Sequence, residues 1–257
     1  MHRGILPALG LAAVCFSFGA QAQTPIEESI ESRFQLDFQV PDVALKKFLP
    51  AGWDLQVATS GPAKDCNLRV IFIDRISING ADGKPAGKGA NQVVYLTVPM
   101  KDAASGKTAQ VVIAGLTADA ADVPGPFAVY QQATDHQMTR STAVGKDGVM
   151  LEDQTWAFTT ADGEHIESHV KYERVAAGRA RRDTTYVSGA NPKLVQIAKG
   201  DNGINIARNA RVEMPDRVKE FRYKISGGRF KTLFDGTEKV LSIDFFPWNN
   251  LAITAGE

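Results

Sequence analysis

The 257-residue chain has little cysteine, with only Cys15 and Cys66 present. Cys15 lies in an N-terminal stretch that reads as an export signal. Processing therefore leaves Cys66 alone and excludes an internal disulfide, although the compartment would permit one. An excess of either charge is also absent. Twenty-nine Lys and Arg balance 29 Asp and Glu, so no long-range pull on nucleic acid is expected. The one basic cluster, Arg179-Ala180-Arg181-Arg182, has no interleaved aromatics and reads as a solvated turn. No apolar run reaches the roughly 20 residues a spanning helix needs. The chain also lacks a Gly-x-Ser-x-Gly elbow, a His-Glu-x-x-His helix, a Walker loop and a dinucleotide fingerprint. No cofactor and no metal are expected.

What is present begins with the export signal. Met1-His2-Arg3 supplies a basic start, Gly4 to Gly19 is apolar or small, and Ala20-Gln21-Ala22 has small residues where a signal peptidase reads. Pro7 and Gly10 interrupt the apolar run, and Val14 before Cys15 is wrong for a lipoprotein anchor. Cleavage is expected after Ala22, giving a periplasmic or secreted protein with no stable membrane insertion.

Polar, acidic residues 23–33 read as a flexible leader, and residues 34–257 as one domain. Phe34 to Val40 alternates apolar and polar side chains like a strand with one buried face. Asp42 could cap a short helix that Pro50 and Gly52 stop. Leu68–Ile78, Gln92–Pro99 and Ala109–Leu116 are strand-like, residues 79–91 form a Gly-rich loop, and residues 127–133 could be a short helix. Asp147-Gly148, Asp162-Gly163 and Asp235-Gly236 are turn signals. Closely spaced strands without long amphipathic helices indicate a mainly β fold, an antiparallel barrel or sandwich with a few short helices. Cys66, at the start of an apolar run, reads as a half-buried strand residue.

His165, Glu167 and His169 would share one face of a strand and are metal-ligand types. Register decides against a metal. A three-residue loop Ala161-Asp162-Gly163, with Gly163 left-handed, pairs Thr160 with Glu164 and Phe158 with Ile166. Trp156, Phe158, Ile166, Val170 and Tyr172 then share the core face, leaving the histidines on the other. Two residues four apart in a strand also lie about 13 Å apart, too far to share one ion.

The segment Phe38-Gln39-Val40-Pro41-Asp42-Val43-Ala44-Leu45-Lys46-Lys47-Phe48-Leu49-Pro50-Ala51-Gly52-Trp53 resembles the early signature of the acetoacetate decarboxylase-like superfamily. There a strand leads into a short helix ending in a Leu-Pro-x-Gly-like stop. Cys66 to Ile76 looks like the next strand, and Asp244-Phe245-Phe246-Pro247-Trp248 is loosely similar to the closing strands. The resemblance implies a cone-like β-barrel with an internal cavity. The family's decarboxylases form a Schiff base on a lysine in a Gly-x-Pro-Lys stretch. The corresponding region here, Tyr130 to Gly145, has no lysine, Asn191-Pro192-Lys193 comes too late, and Gln92 to Pro99 lacks the family's glutamate.

The leading expectation is therefore a barrel that binds a small, partly apolar molecule without Schiff-base catalysis. Trp156, Phe158 and Tyr172 would line the core or cavity, and His136 and Arg140 would orient a carboxylate or carbonyl. An enzyme of the same fold acting on a small oxo or carboxylic acid is the second reading, and a cell-envelope interaction protein with a filled barrel the third. Convergence of His136, Arg140 or Lys193 on a cavity would favour the enzyme. No oligomeric state is indicated.

Overall fold

A computed structural model describes residues 23–125 and 127–256. The signal segment 1–22 lies outside the described residues. The strands are β1 (Pro25–Gln39), β2 (Trp53–Leu55), β3 (Leu68–Gly80), β4 (Asn91–Asp102), β5 (Thr108–Thr117), β6 (Tyr130–Val144), β7 (Met150–Thr160), β8 (His165–Arg174), β9 (Gly178–Ser188), β10 (Val195–Asn209), β11 (Val218–Ser226) and β12 (Lys239–Ala255). Among the described residues, helical structure is confined to α1 (Asp42–Leu45) and three short 3-10 turns.

Strands β5-β9-β10-β12-β1-β3-β4 follow one another in space, and β4 pairs back onto β5, so seven strands close a barrel. Closure leaves no edge along this ring. One seam is weak. The parallel β5–β9 pairing runs only from Gln110↔Tyr186 to Val112↔Ser188, so the first part of β9 diverges from β5. Strands β6-β7-β8-β11 form a second, antiparallel sheet, joined to the barrel where Gly115–Thr117 meets Tyr130–Gln132.

The hydrophobic core lies between the barrel's outer wall and this second sheet. Phe34, Leu36 and Phe38 of β1, Val70 and Phe72 of β3, and Ile243 and Phe245 of β12 face outward onto Trp156, Phe158, Ile166, Val170 and Tyr172. The aromatics stack in a chain: Phe34 lies 5.2 Å from Phe72 and 5.1 Å from Phe245, and Tyr172 lies 3.6 Å from Phe245. Burial of each such side chain contributes about 1.5–3 kcal/mol.

The β7–β8 hairpin has the expected register. Thr160 N–H donates to the Glu164 carbonyl, Phe158 pairs with Ile166, and Gly163 is left-handed at φ 84°. His165 and His169 lie on the opposite face, bound to Glu167 and Asp153 at 3.1 and 3.0 Å.

Other expectations are corrected. Residues 25–33 are not a leader but the first half of β1, because Glu27 and Glu31 pair with arginines inside the barrel. Residues 127–133 make no helix. Left-handed Gly125 (φ 75°) and Ala128 (φ 54°) bend the chain, which enters β6 at Tyr130. The Arg179–Arg182 cluster is no turn but part of β9, with Arg179 and Arg181 bound to Asp201. Asp42 does not cap α1, and its carboxylate instead accepts from Asn67 at 2.8 Å. Asp235-Gly236 joins a 3-10 turn to β12 and makes no hairpin. Cys66 precedes β3 and is fully buried, and burial above all pushes its thiol up to about 12.

Candidate functional site

Each barrel strand that sends apolar side chains outward sends the alternate residues inward, and many of those are charged. Arg33, Gln35 and Asp37 alternate with Phe34, Leu36 and Phe38, while Arg69 and Arg75 share the inner face of β3 with Ile71 and Ile73. Tyr95 of β4 and Tyr186 of β9 meet edge to face across the interior, their centroids 6.3 Å apart. These strands flank β5 in the ring, so the contact passes over the inner face of β5.

The charges are arranged in pairs. Glu31 accepts from Arg33 Nε at 2.8 Å and from Ser29 Oγ at 3.1 Å, and lies 3.3 Å from Arg75 Nε. Asp37 accepts from Gln35 at 2.7 Å and from Arg69 Nε at 3.2 Å. Desolvation works against the charge on Arg33, but Glu31, Tyr95 and Tyr186 outweigh it and hold the guanidinium well above its ordinary pKa. Arg182 differs. Its guanidinium sits 5.7 Å over the Phe246 ring, and among the described residues no carboxylate pairs with it. Desolvation, with Arg69 and Arg33 close by, draws its pKa down. Next to this set, burial and then the nearby Asp37 push Asp244 up to about 7, while Ser242 Oγ donates to it at 2.5 Å.

The weak β5–β9 seam opens a pocket of about 540 Å³ whose walls include Arg33, Gln35, Arg69, Gln110, Arg182 and Tyr186. Two smaller cavities of about 20 Å³ each lie deeper, and Arg33 and Tyr186 wall both. An arginine-rich pocket with one small, mainly apolar recess behind it suits a small ligand with one anionic end.

No protein-family model matches the chain, and no curated protein does. Solved structures do. MppR, an enduracididine biosynthesis enzyme with HEPES buffer bound, aligns with 93% of this chain and 89% of its own, at a TM-score of 0.54 and 12% identity. Acetoacetate decarboxylase from Legionella pneumophila subsp. pneumophila str. Philadelphia 1 aligns over 98% and 97%, at 0.53 and 13%. An acetoacetate decarboxylase-like enzyme from Sphingomonas wittichii RW1 aligns over 91% and 93%, at 0.51 and 10%. The chain has the acetoacetate decarboxylase-like fold. At such identities the likeness is one of fold alone.

Within this acetoacetate decarboxylase-like barrel, the five residues singled out from sequence lie outside the interior. Trp156, Phe158 and Tyr172 pack in the core between the layers, on the far side of the barrel wall. His136 stacks on Phe158 on the exposed second sheet. Arg140 binds the buried carboxylate of Glu152 at 2.8 Å and reaches Ser32 of β1 at 3.3 Å, clamping the second sheet to the barrel. Lys193 is exposed in the turn between β9 and β10, so these polar candidates do not converge. Sequence reasoning missed Arg33, Arg69, Tyr95, Arg182, Tyr186 and Asp244. The signal for Arg33 and Arg69 was the charged, alternating face of β1 and β3, which looks the same whether it meets solvent or a closed interior.

Proposed function

We propose that this is an exported barrel protein that binds a small, partly apolar organic carboxylate in its interior, without Schiff-base chemistry. One observation carries the reading: Arg182, unpaired with any described carboxylate, stands beside Arg33 and Arg69 at the mouth of the pocket. A planar guanidinium binds a carboxylate through two parallel N–H donors, and the adjoining apolar and tyrosine surface would take the carbon chain. Among the described residues, those walling the three interior pockets include these arginines and no lysine.

Pyruvate is a suitable probe, since MppR has been solved in complex with it. Calorimetric titration of the mature protein should show saturable pyruvate binding, and Arg182→Gln should weaken it by about tenfold or more. Unchanged affinity in that variant would remove the basis of the proposal. Borohydride added with pyruvate should leave the protein mass unaltered, whereas an adduct on any lysine would establish the chemistry excluded here.

The enzyme reading is favoured by one feature, the buried Asp37–Asp244 pair beside the arginines, which could supply a proton to a bound oxo acid. Steady consumption of a keto acid by the protein, lost in Asp244→Asn, would decide for it.

Export has its own support in the fold. The chain is tied down immediately after Ala22: the Thr24 carbonyl accepts from Ala255 N–H at 2.9 Å, and Gln23 accepts from Thr254 Oγ1 at 3.1 Å. Cleavage there would leave the barrel whole. N-terminal sequencing of protein exported by a bacterial host should begin at Gln23, and a retained residue 1 would count against export.

A further inference from the structure

The second sheet has two edges, and they are built differently. One is β11, where Lys219, Glu220, Arg222 and Lys224 are exposed along the strand. Charged side chains on an edge oppose the approach of another strand, because pairing would strip them of water. The other edge is β6. Beyond Gln132, where it leaves β5, its only strand partner among the described residues is β7. The free stretch 134–144 spans about 36 Å of extended chain. It contains no lysine and no proline, and its only fixed charges are Asp135 and Arg140. Every side chain in it is exposed except the half-buried Met138.

The ladder shows which backbone groups of β6 are unused. Where β6 turns into β7, Gly145 N–H donates to the Val149 carbonyl at 2.8 Å. Hydrogen bonding alternates along an antiparallel pair, and the β6–β7 register runs unbroken from Asp135 to Val144. Odd-numbered residues of the stretch therefore turn their N–H and C=O toward β7. His136, Met138, Arg140, Thr142 and Val144 turn theirs outward, where no described strand meets them. The outer face beside this edge is also poor in charge, with Gln137 and Thr139 opposite Ala157 and Thr155. Thr134, Thr139, Thr142 and Val144 are β-branched, so the stretch favours an extended chain without a partner to impose it.

We propose that β6 pairs antiparallel with β6 of a second copy of this chain, about a twofold axis at Thr139, so that two four-stranded sheets become one of eight strands. A twofold there pairs residue 134 with residue 144 and uses the whole free stretch. It sets Asp135 opposite Ala143 and Arg140 opposite Met138, so no like charges meet. The outward backbone groups match as well: His136 meets Thr142 and Met138 meets Arg140, each pair exchanging two hydrogen bonds. A second copy is the occupant that this build favours, because a twofold contact consumes the open edge of both chains at once. The joined sheet then ends on both sides in β11, the edge that carries charge. The proposal is independent of what the barrel interior binds.

Sedimentation velocity of the mature protein at micromolar concentration should show a dimer. Thr142→Pro removes one outward N–H and no bond to β7, a change that edge strands tolerate. It should raise the dissociation constant about tenfold or more, with the circular dichroism of the wild type retained. Thr139→Lys and Thr139→Asp each set like charges face to face at the twofold, and each should sediment as a monomer. An equimolar mixture of those two variants should restore the dimer, because opposite charges then meet. A wild type that stays monomeric at about 100 µM would overturn the proposal and leave the edge to a strand of another protein. A dimer that survives Thr142→Pro and both charge variants would place the interface elsewhere and overturn it too. So would a mixture of the charge variants that stays monomeric.

Discussion

Replacing Arg75 with methionine is expected to lower stability by about 3–5 kcal/mol. Arg75 has no exposed surface, and each of its nitrogens has a role: Nη2 pairs with Glu27, Nε with Glu31 at 3.3 Å, and Nη1 donates to the Asp122 carbonyl at 2.6 Å. Methionine fills much of the same volume, so packing changes little. What changes is that Glu27 is left without a cation, while Glu31 retains Arg33, Ser29 and Asn249. Burial already raises Glu27 to about 7 against the pull of Arg75, so without that cation the carboxyl takes up a proton, and the penalty is that uptake together with the hydrogen bonds lost at Glu27, Glu31 and the Asp122 carbonyl. For a domain of this size it corresponds to a fall in Tm of about 6–20 °C. Adding Glu27→Gln should restore part of the loss, since the double variant has no carboxyl there that must take up a proton to fold. Urea unfolding of the four proteins of this cycle checks it. A loss below about 1 kcal/mol, or no recovery in the double variant, would show that this network is solvated.

That network also explains how much could be read in advance. The β7–β8 hairpin was legible to the residue, because Trp156, Phe158, Ile166, Val170 and Tyr172 form one apolar face only in the register that makes Gly163 left-handed. The short α1 and the strands β3, β4 and β5 were legible for similar local reasons. The site was not. An alternating strand has a polar face, and the usual inference sends that face to water. Here the ring inverts the inference: Phe34, Leu36 and Phe38 face outward under a second sheet, and Arg33, Gln35 and Asp37 face inward. The choice of Trp156, Phe158 and Tyr172 followed from treating the apolar face as the cavity. The acidic run at 27–31 looked like a loose leader because Arg75, which pairs with both Glu27 and Glu31, reaches it only when β3 is laid beside β1. Compensation across 44 residues of chain, as between Glu31 and Arg75, leaves no local pattern.

The second large effect lies in pH. Asp244 is held up to about 7 by burial and by Asp37, with Ser242, Arg69 and Arg182 acting in the opposite sense. An unfolded aspartate titrates near ~3.9. Between those two values the native state keeps a proton that the unfolded chain has lost. The contribution of this group to stability is therefore fully present in acid, falls by about 1.4 kcal/mol per pH unit as pH rises, and is exhausted above the folded value. Asp244→Asn cannot ionise and can still accept from Ser242. The variant should therefore gain on the wild type by about 2–3 kcal/mol between pH 5 and pH 8, measured by urea unfolding at each pH. A difference that stays constant across that range would mean Asp244 is ionised throughout and that Asp37 exerts no hold on it. The same proton bears on the pocket. Arg33 and Arg69 are balanced by Glu31 and Asp37, so with Asp244 neutral Arg182 is the uncompensated charge, and with Asp244 ionised it is not. Carboxylate affinity should therefore decline over the pH range in which the stability gap opens, and decline less in Asp244→Asn, because one titration governs both.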